Sequence, residues 1–142
     1  MEKLTESMQK YNFINNEINS AYHEASLKLG LTDTESLILY SFCQMDQVSQ
    51  KEVVRCSGLS KQTVSSAVKK MIKEGILQPL KGEKNEALLL TNKGESLVEE
   101  KISHIIRAEN QVMNCWTEEE RQTFIELNKK YLTMFREELK KL

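Results

Sequence analysis

The chain contains few of the residues that interrupt helices. Its 142 residues include one proline and five glycines, too few for the many turns of a sheet-rich fold. No apolar run approaches the ~20 residues that a membrane span needs, and the N-terminal MEKLTESMQKY has no signal-peptide core. We therefore expect a mainly α-helical protein that makes no membrane contact and stays in the cytoplasm.

Cysteine is also scarce. Cys43, Cys56 and Cys115 are too few and too scattered for a secreted disulfide framework, so we expect reduced thiols. Cys43 and Cys56 lie at apolar or helix-end positions that are typical of buried, inert thiols. Cys115, beside Trp116, is expected to be more exposed. A redox-sensing cysteine stays open as the alternative.

The sequence lacks the residue groupings of a catalytic or metal centre. It has no phosphate-binding glycine loop, no nucleophile elbow and no paired carboxylates in apolar surroundings. His104 is followed one turn later by Ala108 rather than by a second ligand, and Glu24 beside His23 does not supply a helical ligand pair. The run 118–120, three glutamates, suits a helix start. We predict no enzyme, no metal and no cofactor.

Charge is unevenly distributed although the chain as a whole carries only −1. The segment from Val48 to Glu86 has eight basic and four acidic residues, a net charge of +4, so the remainder carries −5. A basic segment within an acidic chain indicates local contact with a polyanion. The near-neutral total excludes a uniformly basic protein that coats nucleic acid.

Two short helices are predicted inside this basic segment. Ser49 and Glu52 form a capping-box pair, Gly58 ends the first helix in the left-handed conformation, and Ser60 caps the second helix. Two helices joined by so tight a corner are typical of a helix-turn-helix.

The second helix of the pair has two chemically different faces. One face is apolar and consists of Val64, Ala67, Val68 and Met71. The other consists of Gln62, Ser66, Lys69 and Lys73, with no carboxylate before Glu74. Because amides and hydroxyls can read base edges and lysines can meet phosphates, this face favours DNA binding. An ordinary solvated helix surface is the alternative.

Two apolar runs, 76–80 and 87–90, follow this helix and are separated by the polar link KGEKNE. This pattern predicts a β-hairpin, which would form a wing directly after the helix pair. We divide the single domain 1–142 into a winged helix-turn-helix region, 31–91, and two flanking helical segments, 1–30 and 92–142.

The flanking segments are predicted to form long helices, over 4–29, from Thr91 to Trp116, and from Thr117 to the end. The first has an apolar seam of regular three- and four-residue steps, which usually meets another helix. We predict an intersubunit contact, with packing inside the same domain as the alternative. The residues assigned to dimerisation are Leu4, Met8, Tyr11, Ile18, Tyr131, Phe135 and Leu139.

The chain resembles the MarR family of winged helix-turn-helix transcription regulators. The resemblance is carried by LTDTESLILYSF, SQKEVVRCSGLSKQTVSSAVKKMIKEGIL and LLLTNKGESLVEE, and it covers nearly the whole chain. It implies a mainly α fold with a two-stranded wing, and a homodimer whose terminal helices interlock. It also implies a repressor that places its recognition helices in successive major grooves of a pseudo-palindromic operator in double-stranded DNA, released by a small-molecule or redox effector.

The resemblance also implies which residues contact DNA. They are Gln50 and Lys51 before the recognition helix, Ser60, Lys61, Gln62, Thr63, Ser65, Ser66, Lys69, Lys70 and Lys73 on it, and Lys81, Lys84 and Asn85 in the wing. The wing has two glutamates and no arginine, and the recognition helix lacks the family's frequent central Arg. Base readout can then depend on DNA shape. The alternative is a winged-helix protein-interaction module with weak or no DNA binding.

Overall fold

The structure is a computed structural model, and it describes residues 1–45, 48–80 and 87–142. Its first four helices are α1 (Glu6–Lys28), α2 (Asp33–Ser41), α3 (Gln50–Ser57) and α4 (Lys61–Lys73). Strands β1 (Leu77–Pro79) and β2 (Leu88–Leu90) follow, and then helices α5 (Asn92–Leu97), α6 (Ser103–Cys115) and α7 (Glu118–Leu139). The mainly α fold class with a two-stranded wing is confirmed. The chain forms two compact units, Met1–Ser103 and His104–Leu142.

Side-chain caps begin the helices at the predicted positions. The Ser49 hydroxyl accepts a hydrogen bond from the Glu52 backbone N–H (3.2 Å), and the Glu52 carboxylate accepts one from the Ser49 N–H (2.8 Å). The same reciprocal capping box begins α2 and α7. Helix α1 begins at Glu6 rather than at Leu4, because the Thr5 hydroxyl accepts the Met8 N–H and caps the helix there.

The core of the first unit lies among α2, α3, α4 and the hairpin. Its almost fully buried side chains are Ile38, Leu39, Val48, Val53, Val64, Val68, Met71, Leu77, Leu88 and Ile102. In the hairpin, Leu77 pairs with Leu90 and Pro79 with Leu88 in antiparallel register. The hydrophobic helix α2 is central, as its composition predicts, and it packs against both α3 and α4.

The predicted helix from Thr91 to Trp116 contains an irregularity. Between α5 and α6, the five residues Val98–Ile102 wind as a π-helix. The Ser103 hydroxyl donates to the Glu99 carbonyl beside this turn. A π-turn adds one residue to the helix and shifts the phase of everything after it, a change that hydrophobic spacing alone does not reveal.

The expected burial of Cys43 is wrong. Cys43 is exposed, although Phe42 directly before it is buried. Its thiol lies 3.7 Å from the Leu39 carbonyl oxygen, and partial desolvation raises the pKa of the thiol. Cys56 is half-buried, Cys115 is exposed as expected, and all three are free.

The second unit consists of most of α6 and all of α7. At its corner the Arg121 guanidinium donates to the Met113 carbonyl (2.9 Å) and to the Trp116 carbonyl, which closes the end of α6. The Trp116 and Phe124 rings meet edge to face with centroids 5.2 Å apart. Apart from Arg121, every residue of α7 is exposed.

Candidate nucleic-acid interface

Helix α4 is anchored by its apolar face. Val64 and Val68 are 0% exposed and Met71 is 1% exposed. The opposite face holds the side chains that the sequence assigns to DNA, and all are exposed except the half-buried Ser65; they are Lys61, Gln62, Thr63, Ser66, Lys69, Lys70 and Lys73. The helix has four lysines and no carboxylate between its first and last residues. Its free face therefore carries positive charge at its start and in its second half, with no negative charge between them.

Both ends of α4 are closed by local hydrogen bonds. At the start, the Ser60 hydroxyl accepts the Thr63 N–H (3.2 Å) and donates to the Thr63 hydroxyl (2.8 Å). At the other end Gly75 takes a φ of +75°, the Gly75 N–H bonds to the Ile72 carbonyl (3.0 Å), and the Ile76 N–H bonds to the Met71 carbonyl (2.9 Å). This is a Schellman motif, in which a residue without a Cβ takes the left-handed conformation at no steric cost.

The lysines of α4 are available to an incoming anion. Lys70 lies 3.8 Å from the Glu74 carboxylate, an exposed pair that contributes little stability. Within residues 1–45, 48–80 and 87–142, no carboxylate pairs with Lys61, Lys69 or Lys73. These three ammonium groups can therefore meet phosphates without first breaking an ion pair with a described residue.

A shallow groove of about 490 Å³ runs along one side of α4. Six of its seven lining residues come from α4 and its cap, and the seventh, Thr34, comes from the first turn of α2. The groove is lined by Thr34, Ser60, Gln62, Thr63, Ser66, Ala67 and Lys70. Sequence reasoning missed Thr34, because nothing in the local sequence indicates that α2 lies beside α4.

The remaining predicted DNA contacts divide into two groups. Gln50 is half-buried and Lys51 exposed, and both lie in the first turn of α3. Lys81, Lys84 and Asn85 lie outside the described residues. The structure therefore brings together the α4 residues and places Thr34 beside them.

The residues assigned to dimerisation come from both compact units. On the first unit, Leu4, Tyr11 and Ile18 are 56%, 41% and 48% exposed, whereas Met8 is half-buried. On the second unit, the apolar side chains of α7 are all exposed, including several that the sequence assignment omitted. They are Phe124, Ile125, Leu127, Tyr131, Leu132, Met134, Phe135 and Leu139.

Two other kinds of site are not found in the described part of the chain. Among residues 1–45, 48–80 and 87–142, no three His, Cys, Asp or Glu side chains come close enough together to hold a metal ion. Over the same ranges, no helix has the length and apolar character needed to cross a bilayer.

Known proteins resemble the chain both in sequence and in fold. Residues 29–83 match the model of the MarR family, whereas no curated protein sequence matches significantly. A MarR family regulator from Neisseria meningitidis has a similar structure, with a TM-score of 0.84 and 18% identity over 97% of this chain and 100% of that chain. A MarR/EmrR family transcriptional regulator from Acinetobacter sp. ADP1 has a TM-score of 0.74 and 22% identity, over 94% of this chain and 99% of that chain. These matches confirm the resemblance to the MarR family, in sequence over residues 29–83 and in fold over nearly the whole chain.

Proposed function

We propose that the chain is a sequence-specific DNA-binding regulator of transcription and that α4 is its recognition helix. One observation carries this proposal. Helix α4 buries Val64, Val68 and Met71 against the core and leaves an opposite face of hydroxyl, amide and ammonium groups free of carboxylates. A helix that is held rigidly by one side and is cationic on the other suits insertion into a major groove.

The exposed side chains of α4 divide by position into two roles. Gln62, Thr63 and Ser66 lie in the first two turns, where a recognition helix approaches base edges, and they can exchange hydrogen bonds with them. Lys69 and Lys73 lie one turn apart further along the exposed face and supply charge to phosphates. The first group would give sequence preference and the second would give affinity for any duplex.

The groove beside α4 adds a backbone contact to this proposal. Its lining residues carry hydroxyls on both sides of the groove, together with the Gln62 amide and the Lys70 side chain. A sugar-phosphate strand that borders the major groove would find donors there from Thr34 on α2 as well as from α4. Gln50 and Lys51, in the first turn of α3, would meet the backbone near a helix N-terminus, where anions are favoured.

A homodimer completes the proposed regulator. Apolar side chains of α1 and of α7 keep a large exposed area in the chain, and they are suited to cover by a second copy of it. Two recognition helices held ~34 to 36 Å apart would bind two inverted half-sites as one bivalent unit. We propose that the dimer represses transcription by occupying such an operator. A small-molecule effector that repacks the terminal helices would change this spacing and release the DNA.

The test is a fluorescence anisotropy titration with the duplex that lies upstream of the protein's own gene, repeated at several salt concentrations. Binding should weaken with salt, with log K falling by ~0.9 per decade of salt for each phosphate neutralised. An unrelated duplex of equal length should bind more weakly. No binding to either duplex, or binding that salt does not affect, would refute the proposal and favour the protein-interaction module.

A further inference from the structure

Three consecutive backbone carbonyls at the end of α4 are bound by the segment that begins α5. The Lys93 ammonium donates to the Glu74 carbonyl (2.8 Å). The Thr91 hydroxyl donates a shared hydrogen bond to the Gly75 and Ile76 carbonyls, and the Thr91 N–H also donates to the Ile76 carbonyl (3.0 Å). Residues at least 15 positions further along the chain thus satisfy the carbonyls where α4 ends.

Gly94 allows this close approach. A Cβ built at position 94 would overlap the Ile76 carbonyl oxygen and would lie 3.0 Å from the Leu90 side chain. The Gly94 N–H also donates to the Thr91 hydroxyl (3.1 Å), which caps α5 while the same hydroxyl reaches the end of α4. We call Thr91, Lys93 and Gly94 the α4 clasp.

The clasp acts at the end of α4 that carries the negative pole of the helix dipole. A cation is favoured there because it offsets the partial charge on the last carbonyls. The last turn of α4 already has Lys70 and Lys73, but neither makes a hydrogen bond or ion pair with another element in the described part of the chain. Lys93 makes that connection, because its hydrogen bond ties the C-terminal end of α4 to α5.

We propose that Lys93 is a positioning residue for DNA binding, which holds α4 at the angle that its polar face needs to enter the major groove. This inference depends on the proposed function. The ammonium of Lys93 is engaged by the Glu74 carbonyl, so its role is to orient α4 and not to neutralise a phosphate. Without it, α4 would retain its buried apolar face and its Schellman motif but would pivot at its C-terminal end.

The experiment compares the full chain with Lys93→Met, Lys93→Arg and the charge-matched control Lys129→Met, which removes an exposed lysine from α7. Anisotropy titrations with the upstream duplex are made across a range of salt, at a temperature where all four proteins are folded. Lys93→Met should bind roughly tenfold more weakly, as expected for the loss of a charge-assisted hydrogen bond, with an unchanged salt slope. Lys93→Arg, which retains the charge, should recover most of the affinity, and Lys129→Met should behave as the wild type.

Two results would overturn the inference. Lys93→Met could bind as tightly as Lys129→Met, or its salt slope could fall in magnitude by ~0.9, which would make Lys93 a direct phosphate contact.

Hydrogen exchange supplies a readout without DNA. The backbone amides of residues 74–76 should exchange faster in Lys93→Met than in Lys129→Met, and equal exchange would also overturn the inference. A wild type that binds no duplex would instead refute the proposed function, and the exchange measurement would still decide whether the clasp holds α4.

Discussion

Substitution of Phe135 on α7 tests the proposed homodimer, and the exposed area of its side chain determines the expected loss of dimer stability. The Phe135 side chain is 46% exposed in the single subunit, and its ring stacks on that of Tyr131 with centroids 5.6 Å apart and planes at 25°. A phenylalanine buries roughly 200 Å² when it is fully enclosed. About 90 Å² of the side chain is therefore still available for burial in a subunit contact.

This area converts into an expected loss of dimer stability. At about 25 cal/mol per Å², burying 90 Å² contributes about 2 kcal/mol in each subunit. A two-fold interface contains every residue twice. Because alanine retains the Cβ, we expect Phe135→Ala to weaken dimerisation by about 3 to 4 kcal/mol in total, which raises the dimer dissociation constant roughly 10² to 10³-fold.

Sedimentation equilibrium over a wide range of protein concentration measures this constant directly. Thr133→Ala is the control, since Thr133 is exposed on α7 and the residues three and four positions away from it are all charged. The control should dimerise as the wild type does. If Phe135→Ala and Thr133→Ala had the same dissociation constant, the α7 face would not be the subunit contact and the bivalent model of operator binding would lose its support.

Three other predictions concern the proposed recognition helix, the clasp and a helix cap. Lys69→Ala should weaken binding to the upstream and the unrelated duplex alike, whereas Gln62→Ala should reduce the preference for the upstream duplex by ~1 to 3 kcal/mol. Parallel anisotropy titrations compare the two variants, and identical effects would contradict these roles. Gly94→Ala should lower the free energy of unfolding by about 1 to 3 kcal/mol in urea titrations, because the alanine Cβ would overlap the Ile76 carbonyl. An unchanged midpoint of urea unfolding would contradict this prediction and show that the backbone adapts. The hydrogen bond from the Ser49 N–H lowers the pKa of Glu52 below its ordinary value of 4.5. The stability that Glu52 contributes is therefore fully present above pH 4.5, and it is lost as the pH falls through the lower pKa of the folded protein. Glu52→Gln should therefore flatten the acid side of the stability curve, and a curve parallel to that of the wild type would contradict the assignment.

Helix ends were predictable because they depend on residues three or four positions apart. The capping box of Ser49 with Glu52 requires only that pair, and the structure contains both of its hydrogen bonds. Gly58 takes a φ of +70°, as expected for a glycine between two helices. The buried face of α4 was predictable for the same reason, since helical spacing alone places Val64, Val68 and Met71 on one side.

Contacts between distant segments were not predictable in this way. Thr34 lines the groove beside α4 only because α2 packs next to it, and the Lys93 to Glu74 hydrogen bond spans 19 positions. The π-turn at 98–102 was not predicted, because an apolar stripe tolerates one additional residue. The exposure of Cys43 was not predicted either, because burial just past a helix end depends on the tertiary packing there.

These differences bear on what would determine DNA specificity in the proposed regulator. The identity of the side chains on α4 can be read directly from the sequence, but a side chain reads a base only if the helix carries it to within hydrogen-bonding distance at the correct angle. The C-terminal end of α4 is held by Lys93 and Thr91, and Gly94 allows them to approach. Two proteins with identical recognition helices and different clasps should therefore prefer different operators. Transplanting residues 61–73 alone into a related fold should transfer phosphate affinity more completely than it transfers sequence preference.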